Sequence, residues 1–153
     1  MAQRRNPAPT VLLVDDEADV RLLWRMVFAL HGGFGAISEA ADGAKAVKML
    51  KTESFEVVVT DFSMPGASGL EVIDATLSGS PSTVVVMVSA TADVGQEALR
   101  RGASAFFDKW ESTTDLLPRF VTAVLAELEA LGDGSHPGWS ARPAKHGRAL
   151  VTR

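Results

Sequence analysis

The chain has 153 residues, about the length of one domain, with 46% hydrophobic residues for a core and an ordinary 22% charged. The first apolar run, Val11-Leu12-Leu13-Val14, is too short for a signal-peptide core or a membrane span and ends in charge. The absence of cysteine excludes a disulfide framework and a thiolate metal site. The expectation is a cytoplasmic protein without membrane contact. The net charge of −4 is uneven: from Thr10 to Leu131 nine Lys/Arg face eighteen Asp/Glu, and both flanks are basic. So acidic a body is a poor surface for nucleic acid.

In chain order, Val11 to Val14 reads as a buried strand. Ala18 to Leu30 follows as a helix with Val20, Leu23, Val27 and Leu30 at helical spacing, stopped by His31-Gly32-Gly33. Ala36 to Ala40 is a weaker strand, Asp42-Gly43 a turn, and Ala44 to Lys51 a short helix. Phe55 to Thr60 is the strongest strand, followed by the Met64-Pro65-Gly66 loop and a helix from Gly69 to Leu77. Thr83 to Val88 is the fourth strand, Asp93 to Arg101 a helix with little apolar face, and Ala105 to Phe107 a short fifth strand. The last helix carries Leu117, Phe120, Val121, Val124, Leu125, Leu128 and Leu131, with Pro118 expected in its first turn. Residues 1–9 are expected to be a disordered arm, 10–131 the folded domain, and 132–153 a flexible basic tail rich in Gly, Pro and Ser.

Five apolar strands alternating with five helices predict an α/β fold with a parallel sheet covered on both faces. In such sheets, sites form beyond the carboxyl ends of the strands. The strong strands end there in polar residues: Asp15-Asp16-Glu17, Asp61, Ser89 and Asp108-Lys109. Each alone is a common strand-end residue; together they would gather at one rim. Converging carboxylates repel unless a cation holds them, and hard oxygen ligands at an open site suit Mg²⁺. A hydroxyl and an ammonium alongside suit a transferred phosphoryl group.

Val11-Leu12-Leu13-Val14-Asp15-Asp16-Glu17 and Val57-Val58-Val59-Thr60-Asp61-Phe62-Ser63-Met64-Pro65-Gly66, with Gly69 following, resemble bacterial response-regulator receiver domains. So do Val88-Ser89-Ala90 and Gly102-Ala103-Ser104-Ala105-Phe106-Phe107-Asp108-Lys109. The resemblance runs in order from Thr10 to Leu131. It implies a doubly wound five-stranded parallel sheet flanked by five helices, the flavodoxin-like receiver fold.

The resemblance also implies roles. Asp61 would accept phosphate from a sensor histidine kinase or histidine phosphotransfer protein. Asp15, Asp16 and Asp61, with the backbone carbonyl of Ser63, would hold Mg²⁺. Ser89 and Lys109 would contact the phosphoryl oxygens, and Phe106 would move inward as the aromatic switch. Trp110 stands where the family usually has proline; it could serve as a partner anchor. The expected function is that of a single-domain regulator, monomer or weak dimer, which switches contacts with a downstream protein target. It would be no enzyme beyond its own phosphorylation and dephosphorylation. The alternatives are a receiver-like interaction domain working without phosphate and the receiver part of a truncated multidomain regulator. An aspartyl phosphatase would want an acid at position 63, which is serine.

Overall fold

The structure is a computed structural model and describes residues 8–109, 113–132 and 151–152. Five strands and five helices alternate: β1 (Val11–Val14), α1 (Ala18–His31), β2 (Ile37–Ala40), α2 (Gly43–Leu50), β3 (Val57–Thr60), α3 (Gly69–Gly79), β4 (Val84–Ser89), α4 (Gly95–Arg100), β5 (Ala105–Asp108) and α5 (Thr113–Gly132). A 3₁₀ turn, Ala92–Val94, leads into α4. All strand pairs are parallel, in the order β2-β1-β3-β4-β5. This is the parallel sheet expected from the alternation, in the five-stranded doubly wound arrangement that the family resemblance implied. A further two-residue strand, β6 (Val151–Thr152), pairs with the outer edge of β5. An edge strand leaves backbone groups open to such pairing. The rest of the predicted tail, 133–150 and Arg153, and residues 1–7 of the predicted arm lie outside the described residues.

Alternation along each strand builds two cores. Val11, Leu13, Val57, Val59, Val86 and Phe107 face the side where α1 and α5 supply Trp24, Phe28, Phe120 and Val124. Leu12, Val14, Val58, Val85, Met87 and Phe106 face the other side, with Ala46, Val72, Ile73 and Ala98 from α2, α3 and α4. Both faces of the sheet are therefore covered, which explains the unbroken apolar runs.

The helix starts are chemically marked. The Asp42 carboxylate accepts the Lys45 amide, and Ser68 with Glu71 forms a reciprocal capping box at α3. Gly69 lets α3 begin directly over β3, since a β-carbon there would stand 2.0 Å from the carbonyl oxygen of Asp61. No helix among the described residues is long and apolar enough to cross a membrane.

Two local expectations are corrected. In α1, Trp24, Val27 and Phe28 are buried, whereas Leu23 and Leu30 are exposed together with Leu22 and Met26. The helix carries two apolar stripes, and the aromatic one fits the sheet. In α5 the helix begins at Thr113, so Pro118 lies in its second turn. There Pro118 has no N–H to donate to the carbonyl of Thr114.

Candidate functional site

The register of the sheet brings the site together. Val14 of β1 pairs with Thr60 of β3, so the residues that follow, Asp15 and Asp61, leave the sheet side by side. The Asp61 amide donates to the Val14 carbonyl at 2.9 Å, which ties the two tips. Ser89 pairs with Asp108, and the Lys109 amide donates to the Ser89 carbonyl at 3.0 Å. Lys109 is thereby carried across β4 to the same rim.

Asp15, Asp16 and Asp61 each offer a carboxylate oxygen, and these atoms lie within 4.8 Å of one another. Asp15 and Asp61 are buried, while Asp16 is exposed. The Lys109 ammonium donates to Asp15 Oδ2 at 3.0 Å, Glu17 Oε1 at 3.0 Å and Asp61 Oδ2 at 3.2 Å. Asp15 Oδ1 also accepts the Glu17 amide at 2.8 Å, and Asp61 Oδ1 the Phe62 amide at 2.7 Å. Each buried carboxylate therefore has donors on both oxygens, as buried charge requires.

The electrostatics follow from this crowding. Burial pushes the Asp15 carboxyl above its ordinary value of 3.8, against the lowering effects of the Glu17 amide and Lys109. For Lys109, burial disfavours the charge, but hydrogen bonds to Asp15 and Glu17 outweigh it, and its pKa is raised. The lysine stays fully protonated.

Three convergent hard oxygens, one of them exposed, fit a divalent cation of the Mg²⁺ type, an ion that usually keeps several waters in its shell. Asp15 and Asp16 come from the β1–α1 loop and Asp61 from the end of β3.

The other expected residues fall at or near this rim. Ser89 ends β4, is 1% exposed, and accepts the Thr91 amide on Oγ at 3.1 Å. Its O–H is left as a donor. Ser63 lies on the exposed loop two residues beyond Asp61. Phe106 sits one strand-level below the rim on β5, but its ring is already in the core at 2% exposure. Trp110 and the 109–110 peptide lie outside the described residues.

Two residues were not singled out from the sequence. Glu17 was visible only as part of an acidic run, with nothing to pair it with a lysine 92 positions away. Arg21, on α1, donates through Nη1 to the Asp15 carbonyl at 2.6 Å and through Nε to Glu39 at 3.1 Å. It braces the β1–α1 loop from β2, a contact with no local sequence signal.

Known proteins resemble this chain in sequence and in fold. The protein-glutamate methylesterase/protein-glutamine glutaminase 1 of Paramagnetospirillum magneticum is 32% identical, over 97% of this chain and 41% of its own length. A putative transcriptional regulator of Pseudomonas aeruginosa is 33% identical, over 70% of this chain and 52% of its own. The chain thus spans about half or less of these two relatives. Among solved structures, the response regulator domain of Thermotoga maritima CheB superposes with a TM-score of 0.70 at 27% identity, covering 80% of this chain and 98% of that one. The receiver domain of the putative regulator NarL from Mycobacterium tuberculosis gives 0.67, also at 27%, covering 78% and 98%. Residues 11–120 match the response regulator receiver domain, and this chain belongs to that family.

Proposed function

We propose that Asp61 accepts a phosphoryl group in a Mg²⁺-dependent reaction, and that its phosphorylation switches contacts with other proteins. The observation that carries this reading is the meeting of Asp15, Asp16 and Asp61 within 4.8 Å, with Lys109 bonded to two of them.

In this reading an Asp61 carboxylate oxygen attacks the phosphorus of a phosphohistidine on a sensor kinase or phosphotransfer protein. The new O–P bond replaces the N–P bond, and the freed imidazole takes a proton. Lys109 and the Ser89 hydroxyl bind the phosphoryl oxygens, a positioning and electrostatic role. Asp15, Asp16 and Asp61 hold Mg²⁺ with the Ser63 carbonyl as a further ligand. The ion, when bound, supplies positive charge for the phosphoryl oxygens. Arg21 keeps the Asp15 backbone in place. The group modified in this step is the chain's own Asp61, with the phosphohistidine as donor, so the reaction reads as the phosphorylation of a switch.

The exposed stripe of Leu22, Met26 and Leu30 begins on α1 just beyond this rim and supports a protein as the phosphodonor. A second reading, the receiver part of a longer regulator, is supported by the 41% coverage of the methylesterase relative. It leaves the chemistry at Asp61 unchanged.

The test is phosphotransfer from the host's sensor kinases, with and without Mg²⁺. Labelling that needs Mg²⁺ and disappears in Asp61→Asn is expected. Label retained by the variant removes Asp61 as the acceptor. Beryllofluoride and Mg²⁺ without effect on the amides around Asp61 and Ser89 would favour an interaction domain that does not use phosphate.

A further inference from the structure

Lys109 is saturated. An ammonium has three N–H donors, and here they go to Asp15 at 3.0 Å, Glu17 at 3.0 Å and Asp61 at 3.2 Å. A phosphoryl oxygen on Asp61 can be bound by this lysine only if one acceptor gives way. Two of the three acceptors belong to the carboxylate cluster, whereas Glu17 contributes no oxygen to it. Its carboxylate reaches in from outside and, among the described residues, forms an ion pair with Lys109 alone.

The placement of Glu17 is not accidental to the loop. Its own amide donates to Asp15 Oδ1 at 2.8 Å, so the backbone of Glu17 is tied to the rim. Its side chain is 63% exposed, while that of Lys109 is 13% exposed. The glutamate can therefore swing into water at little cost, whereas the lysine cannot leave without stripping Asp15 and Asp61 of their cation. A phosphoryl group also carries negative charge, which repels the Glu17 carboxylate and attracts the Lys109 ammonium. Asp61 itself becomes the phosphoryl ester and Asp15 stays with the cluster, so Glu17 is the acceptor whose full charge competes with the phosphoryl group for Lys109.

We infer that Glu17 is a positioning residue acting through Lys109: it competes with a phosphoryl oxygen for the ammonium, and so biases the site toward its unphosphorylated state. This rests on Asp61 being the phosphoryl acceptor, as proposed above. The contact is exposed on one side, so its competition is modest, on the order of a two- to five-fold effect.

The experiment uses the full chain and three variants: Glu17→Gln, which keeps the size and loses the charge; Glu17→Asp, which keeps the charge and draws back from Nζ; and Asp19→Asn, which removes an exposed charge on the next turn. Two quantities are read: the Lys109 side-chain resonance in Mg²⁺-free, lysine-labelled protein, and the affinity for beryllofluoride at saturating Mg²⁺. Both Glu17 variants should shift the Lys109 resonance and bind the analogue about two- to five-fold more tightly, and Asp19→Asn should do neither. An unmoved Lys109 resonance, or equal or weaker analogue binding in the Glu17 variants, overturns the inference. So does an equal gain in Asp19→Asn, which would make the effect one of general charge. If the unmodified chain binds no beryllofluoride, the failure lies in the assignment of Asp61, and the inference falls with it.

Discussion

The ring of Phe106 lies against the backbone of Gly95, so close that a β-carbon at position 95 would stand 3.0 Å from Cδ1 and 3.2 Å from Cγ. Glycine at this point of α4 leaves the slot in which the ring is seated, 2% exposed, beside Met87 and Ala98. Gly95→Ala should be nearly neutral, because a gain in helix propensity of about 1 kcal/mol offsets a small displacement of the ring. Gly95→Leu should cost about 1–3 kcal/mol and expose Phe106, measured by urea denaturation. Contacts between the Phe106 ring protons and the Gly95 α-protons should be seen by NMR both before and after beryllofluoride is added. Contacts that arise only with the analogue would show that the ring starts outside.

Lys109 is ion-paired with two carboxylates whose side chains are 7% and 8% exposed. Lys109→Ala leaves both with uncompensated charge, at a cost of about 3 kcal/mol in chelator. A divalent ion bound to the same oxygens should return much of that loss by linkage. Denaturation in EDTA and in Mg²⁺ measures the difference, and an identical loss in both would mean that the ion does not share these oxygens.

The Glu39 carboxylate is gripped by Arg25 at 2.8 Å and Arg21 at 3.1 Å. The hydrogen bond from Arg25, outweighing partial burial, holds its carboxyl below the ordinary 4.5. A folded-state pKa below the unfolded one contributes stability that is complete above 4.5 and lost as pH falls through the folded value. Glu39→Gln should therefore be about 1 kcal/mol less stable at neutral pH, with the gap closing in acid. A gap that is constant with pH would place the effect elsewhere.

Phe120 anchors α5, its ring centroid 4.4 Å from that of Trp24 and 5.5 Å from that of Phe107. Phe120→Ala should cost about 3–5 kcal/mol and free the amides of α5 to exchange. Loss of exchange protection confined to α5 would show that the sheet stands without it; protection lost throughout would show one cooperative unit.

Much of the site could be read from the chain because strand-end chemistry is local: Asp61 directly follows the buried strand Val57–Thr60, and Ser89 ends the buried strand Val84–Ser89. Position at the carboxyl end of a parallel strand then assigns these residues to one rim without any distance being known. The partners of Lys109 were not legible in the same way. Glu17 and Arg21 act through contacts with other elements, and an exposed glutamate or a helix arginine carries no pattern that distinguishes it from its solvated neighbours.

The strand-and-helix alternation, the acidic strand ends and the family were all determined by the sequence, because each is read from the order and type of residues along the chain, one short segment at a time. Only the tertiary structure decided which apolar stripe of α1 meets the sheet, that Phe106 is already seated on Gly95, and that three carboxylates share one ammonium. Those outcomes depend on how separate elements fill the same space, and packing of that kind is settled by shape and distance between segments rather than by the periodicity of any one of them.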